Sequence, residues 1–157
     1  MYSTSEPVTQ ATQIPNVNIA ETGFILNQRA KYTANYGLST ISTANTSLSG
    51  TGTIGTVLTA ASNGTYIKRV IIKGSVNTTT GMVRLFIGVP DGEGGFFNKL
   101  IKEVEIPAVT KSSVREALAI VIDLDFYLKA AYLLKASTER AETFNVIAEG
   151  LDITYPA

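Results

Sequence analysis

From residue 53 onward the chain keeps a period of two, apolar residues alternating with polar ones, and residues that favour turns recur about every ten positions. Successive side chains of an extended strand point to opposite faces, whereas a helix repeats about every 3.6 residues, so this rhythm belongs to an all-β sandwich or barrel. Residues 53 to 60 read as a strand, Ser62-Asn63-Gly64 as its turn, and 66 to 73 as the next strand, with Tyr66, Val70 and Ile72 on one face. Asn63-Gly64 suits a tight hairpin. In the segment GMVRLFIGVPDGEGGFF, Val83, Leu85 and Ile87 face one way and Met82, Arg84 and Phe86 the other. An arginine between two apolar residues predicts that Arg84 and Phe86 lie on an exposed or interface-facing side. A strand over 100 to 106 then places Leu100, Val104 and Ile106 inward with Glu103 and Glu105 in solvent, and Pro107 ends it because proline cannot continue a ladder.

Residues 114 to 124, VREALAIVIDL, admit a helical turn at Arg115 to Ala119, yet Leu118, Ile120, Ile122 and Leu124 alternate and favour a strand. Tyr132, Leu134 and Ala136 make another strand, Phe144, Val146 and Ala148 another, and Leu151, Ile153 and Tyr155, after Gly150, the last. The expected fold is therefore an eight-stranded antiparallel β-sandwich of the two-sheet jelly-roll kind, with a simpler sandwich as the alternative. Residues 1 to 52 differ in composition: Thr, Ser, Asn, Gln and Ala dominate, and apolar residues come in short groups such as Phe24, Ile25 and Leu26. Such a stretch cannot bury enough surface to order itself alone. It reads as an extended, largely irregular N-terminal arm, with short strands admissible near 22 to 34, ahead of a β-domain over 53 to 157. The stretch TANYGLSTISTANTSLSGTG reads equally as linker or as a long surface loop of one domain.

At 157 residues the chain can bury about two-thirds of its unfolded surface, enough for one core. Thirteen basic and thirteen acidic residues cancel, without a Lys/Arg run, so no field draws the chain to nucleic acid or an anionic membrane. MYSTSEPVTQATQIPNVN lacks a positive n-region followed by an apolar stretch, and no segment approaches bilayer-spanning length, so neither export by the ordinary route nor a membrane span is expected.

The chain contains no histidine and no cysteine. Triads built on histidine, thiol nucleophiles, disulfides and His or Cys metal sites are thereby removed, and no cofactor is expected. Carboxylates remain: Asp123 with Asp125, and Glu103 with Glu105, share a strand face and are the pairs a glycosidase would need, although period-two spacing puts them in solvent by default. Asp91-Gly92-Glu93-Gly94-Gly95 offers oxygens on a flexible loop but is far shorter than a calcium loop, and reads as a polar loop tip. Neighbouring Phe96 and Phe97 cannot both face the core of an extended strand, so one is exposed against a neighbouring subunit or a sugar, or else covers the open end of the sandwich. An enzyme is not expected.

The succession YIKRVIIKG, VRLFIG, NKLIKEVEIPAVT and YLLKASTERAETFNVIAEGLDIT resembles small jelly-roll structural proteins of tailed bacteriophages over about residues 53 to 155. VRLFI and KAST followed by AETFNV are the more distinctive pieces. The resemblance implies a virion component: an auxiliary or decoration protein that binds neighbouring capsid subunits, the major capsid protein foremost, or else a tail or fibre module. It implies a homo-oligomer, a trimer above all, whose contacts would draw on Phe24, Ile25, Arg84, Phe86, Phe96 and Phe97. A carbohydrate-binding or host-adhesion domain stacking sugars on Tyr66, Phe96, Phe97 or Tyr132 is the alternative, and the absence of tryptophan counts against it.

Overall fold

In the computed structural model, which describes residues 30–155, the alternation becomes eight strands, and no helix occurs among the described residues. They are β1 (Lys31–Ile41), β2 (Gly55–Thr59), β3 (Thr65–Gly74), β4 (Gly81–Pro90), β5 (Phe96–Ile106), β6 (Ala119–Leu128), β7 (Leu133–Thr138) and β8 (Phe144–Thr154). One four-stranded sheet has the order β1-β8-β3-β6 and the other β2-β7-β4-β5; they are called sheet I and sheet II below. Consecutive strands are sheet neighbours at β4 and β5 alone, and every other connection leaves its strand's immediate neighbourhood.

The expected number of strands is met with a different membership. β1 lies in the stretch read as irregular arm, and the compact unit runs over Tyr32–Thr154 instead of starting at residue 53. The two strands expected around Gly150 are one, because Gly150 is an in-line residue of β8 and not a turn. A Cβ there would come within 2.5 Å of the Tyr66 carbonyl oxygen, so glycine marks a close backbone approach. The Ser62-Asn63-Gly64 turn is tight, with Gly64 at φ +90° and its amide donating to the Ala61 carbonyl at 2.8 Å, yet it closes no hairpin. β2 pairs with β7, and β3 with β6 and β8, so this turn carries the chain from one sheet to the other.

Both sheets contribute to one apolar core. Ile67, Val70 and Ile72 of β3 and Phe144, Val146 and Ala148 of β8 meet Val83 and Leu85 of β4 and Leu134 and Ala136 of β7, all fully buried. Burying each of the larger side chains contributes about 1.5–3 kcal/mol. Leu118 is buried here and Ile120, Ile122 and Leu124 pack against the cluster, so the alternation of the ambiguous segment marked the correct inward residues, although β6 itself starts later, at Ala119.

Register shifts move several residues off their expected face, since one extra residue on a strand turns every later side chain over. In β3 the pairing slips between Ile67 and Arg69, so Ile67 joins the core and Tyr66 goes to the outer face. Between β4 and β5 it slips between Leu85 and Phe86, so Val104 and Ile106 point inward as expected while Leu100 lies opposite Phe86 on the outer face. Phe144→Ala should lower the unfolding free energy by about 3–5 kcal/mol, measured by urea denaturation, while Lys102→Ala on the exposed part of β5 should stay within about 0.5 kcal/mol of the parent.

Candidate interaction surfaces

β4 is apolar on both sides, and both are buried. Arg84 is 7 % exposed and Phe86 fully buried, although both point away from the shared core. Their cover is residues 42–54, a loop of the compact type whose ends lie close together. The loop is fastened to β7 by the Asn45 amide, which donates to the Thr138 carbonyl at 2.7 Å, and to β5 by Asn98 Nδ2, which donates to the Gly50 carbonyl at 2.8 Å. Arg84 completes the fastening: Nη1 donates to the Asn45 carbonyl at 3.2 Å while Nε pairs with Glu103 Oε1 at 3.0 Å.

Inside the loop Asn45 is the organiser. Its Nδ2 donates to the carbonyls of Thr51 and Thr53, each at 2.9 Å, and its Oδ1 accepts from the Ser47 amide at 2.9 Å. Asparagine suits this place because its short amide offers donors and an acceptor to backbone a few residues away. The expectation that Arg84 and Phe86 form an exposed or interface-facing surface is therefore corrected: the chain's own loop occupies that face of sheet II.

Phe96 and Phe97 open β5 on opposite faces, 38 % and 60 % exposed. The Phe96 ring lies under Lys135 Nζ, 5.7 Å from its centroid, a cation–π contact on the outer face of sheet II. Burial of Lys135 pushes its amine below the ordinary lysine value. Phe24 and Ile25 lie outside the described residues.

The acidic pairs are placed apart by chemistry as well as by register. Asp123 lies opposite Arg69, whereas Asp125, at φ +46°, accepts the Tyr66 hydroxyl at 2.7 Å across the register shift. Glu103 is held by Arg84, and Glu105 lies opposite Met82. Asp91 Oδ1 is taken by the amides of Glu93 and Gly95, both at 2.8 Å, which closes the β4–β5 hairpin loop on itself.

The outer face of sheet I carries residues that the sequence reading passed over. Thr40 Oγ1 donates to Asn145 Oδ1 at 2.8 Å and Asn35 Nδ2 to Asp152 Oδ1 at 2.8 Å, so β1 runs antiparallel to β8 and Leu38 comes beside Ile147. Ile147 and Val121 in turn flank Ile71. Leu38, Ile147, Ile71 and Val121 thus form an apolar row across all four strands, with Leu38 64 % and Val121 57 % exposed at its ends. One row away Arg69 pairs with Glu149 at 2.5 Å, beside an open hollow of about 340 Å³ that Tyr36 and Leu151 help to line. The Glu149 carboxylate, with Asp123 adding to it, raises the Arg69 guanidinium pKa further.

Tyr36 and Leu38 were missed because β1 inverts the usual pattern. Its large residues Tyr36 and Leu38 face out, and the inward places ahead of the buried Ile41 are taken by the small Gly37 and Ser39. The inward places are small because β1 runs close against β2: a Cβ at Gly37 would meet the Val57 carbonyl oxygen at 2.1 Å, and one at Gly55 would meet Ser39 Oγ at 2.5 Å. Alternation of Tyr32, Tyr36 and Leu38 with small polar residues was the available signal. No protein-family model and no curated protein matches the chain.

Two outcomes follow from these contacts. Asn45→Ala removes the three hydrogen bonds of its side chain and should cost about 2–3 kcal/mol in urea unfolding, with amide exchange accelerated in 46–52 more than in β4. The Tyr66 phenol is raised above its ordinary 10.0 foremost because its hydroxyl proton is held in a hydrogen bond to Asp125, with desolvation and the nearby carboxylate charge adding to this. Its stabilising bond is therefore fully present below that value and is lost as pH rises through the higher folded value. An ultraviolet phenolate titration, differenced against Tyr66→Phe, should show this late-ionising group, and Asp125→Asn should return it toward the ordinary value.

Proposed function

We propose that the chain is a structural protein of a tailed-bacteriophage virion, an auxiliary or decoration protein that binds neighbouring subunits on the capsid and stabilises the particle. The observation that carries this reading is the strand order. β1–β8, β2–β7, β3–β6 and β4–β5 are the pairings of one long hairpin whose tip is the β4–β5 turn, and they alternate between the two sheets as that hairpin would if rolled up. Such an order supports a jelly-roll reading, a fold used for viral shells, and with it the likeness seen in VRLFI and KAST with AETFNV.

The physics suits a lattice-bound part. A rigid two-sheet body without cysteine has no thiol to oxidise, and zero net charge lets copies crowd together without mutual repulsion. The partner is then the major capsid protein, with the chain itself assembled as a homo-oligomer, a trimer in preference. Residues 1–29, which precede β1, are the part available to reach a neighbouring subunit by strand addition.

A host-adhesion reading is favoured by one observation, the 60 % exposure of Phe97 at the hairpin tip. It requires binding on a glycan array that Phe97→Ala abolishes. The virion reading expects the chain in many copies at lattice positions in cryo-electron microscopy of purified particles, and its absence from those particles defeats it.

A further inference from the structure

The two outer faces are treated differently by the chain. On sheet II the outward-pointing Phe86 and Leu133 are buried and residues 42–54 are fastened across that face, while Phe96 and Leu100 stay partly exposed there. On sheet I the row Leu38–Ile147–Ile71–Val121 is covered by no described residue, and it reaches from one edge strand to the other. We infer that a second copy of this chain packs on the outer face of sheet I, with this row at the centre of the contact. The inference rests on the self-association included in the proposed function, and it names the surface.

Size is the first argument. Four strands about 4.8 Å apart and about ten residues long, at about 3.3 Å each, present roughly 600 Å² before side-chain relief is added, against the roughly 800 Å² per partner of a stable interface. The face is thus large enough to supply most of a specific contact, and Tyr36 and Tyr127, 70 % and 50 % exposed, extend it with the residue type that interfaces favour.

Charge is the second argument. The face carries both signs: Lys68, Arg69 and Lys73 stand with Glu116, Asp123, Asp125 and Glu149, with Arg69 paired to Glu149 at 2.5 Å and Lys73 to Glu116 at 2.7 Å. Two copies of a surface that mixes both signs in near balance meet without net like-charge repulsion, and each can set its basic groups against the other's acidic ones. A strongly basic or acidic partner gains nothing from such a face, whereas an identical one loses nothing.

The test is the mass of the full-length chain in solution by sedimentation or light scattering at tens of micromolar, a concentration at which interfaces of ordinary strength are populated. The unmodified chain should give a multiple of 16.7 kDa. Leu38→Glu and Val121→Glu, at exposed positions on different edge strands, should each weaken association by about tenfold or more, with an unchanged far-ultraviolet circular dichroism spectrum. Leu38→Met should retain the assembly, and so should Val114→Ser, which removes a residue 96 % exposed in the connection before β6. A 16.7 kDa species for the unmodified chain, or an oligomer indifferent to both glutamates, overturns the inference. Neither result touches the presence of the chain on particles, so the two proposals fail separately.

Discussion

β4 is buried on both of its faces, and much of the molecule's asymmetry follows from that. One side of Gly81–Pro90 supplies Val83 and Leu85 to the shared core, and the other carries Arg84 and Phe86 into a buried region to which residues 42–54 are fastened. A guanidinium is buried at acceptable cost only when its donors are matched. Here Glu103 and the Asn45 carbonyl match two of them, and the second of these bonds ties the shielding loop to β4. Asn45 then links the loop's own shape to that anchor, so the loop is a structural part of sheet II and not a free connection. With its outer surface used in this way, sheet II leaves sheet I as the broad exposed sheet surface of the body.

The strands of residues 53 to 155 were legible because a half-buried strand writes its period directly into the sequence. Val83, Leu85, Val104, Ile106, Val70 and Ile72 all point where the alternation put them. Faces failed where the register slips, at Tyr66 and Leu100, because a bulge adds a residue without changing the local pattern of apolar and polar. Gly150 and Asn63-Gly64 failed for a related reason. A turn-favouring residue signals permissive backbone, which serves equally for a close approach within β8 and for a crossing between sheets.

β1 was illegible for a deeper cause. Strand reading assumes large residues inside and small ones outside, and β1 reverses this ahead of Ile41, because its inner side there abuts β2 so closely that Gly37 and Ser39 face Gly55 and Val57. The packing of two sheets at one edge is a tertiary fact with no local signature. The same inversion puts Tyr36 and Leu38 outside, so the feature that hid β1 also hid the face to which it belongs. Arg84 was misjudged for the converse reason: a charge within an apolar strand ordinarily means solvent, and its burial becomes tolerable through Glu103 on the next strand and the far-away Asn45 carbonyl.

Sheet edges are the other place where β-proteins associate, and here three of the four are blunted. β2 has five residues, β5 carries Lys99, Lys102, Glu103 and Glu105 along its length, and β6 is bent by its register shift at Asp125. Short edges, charged edges and bulges all hinder the addition of a foreign strand. β1 differs, with eleven residues and no charge after Lys31. β1 is therefore the described edge least defended against strand addition, and the proposed side-chain contact lies on the face of the same sheet. An attachment by backbone pairing at β1 and a contact through Leu38, Ile71, Ile147 and Val121 use different atoms of sheet I. One copy could therefore make both at once, which the proposed virion role would ask of it.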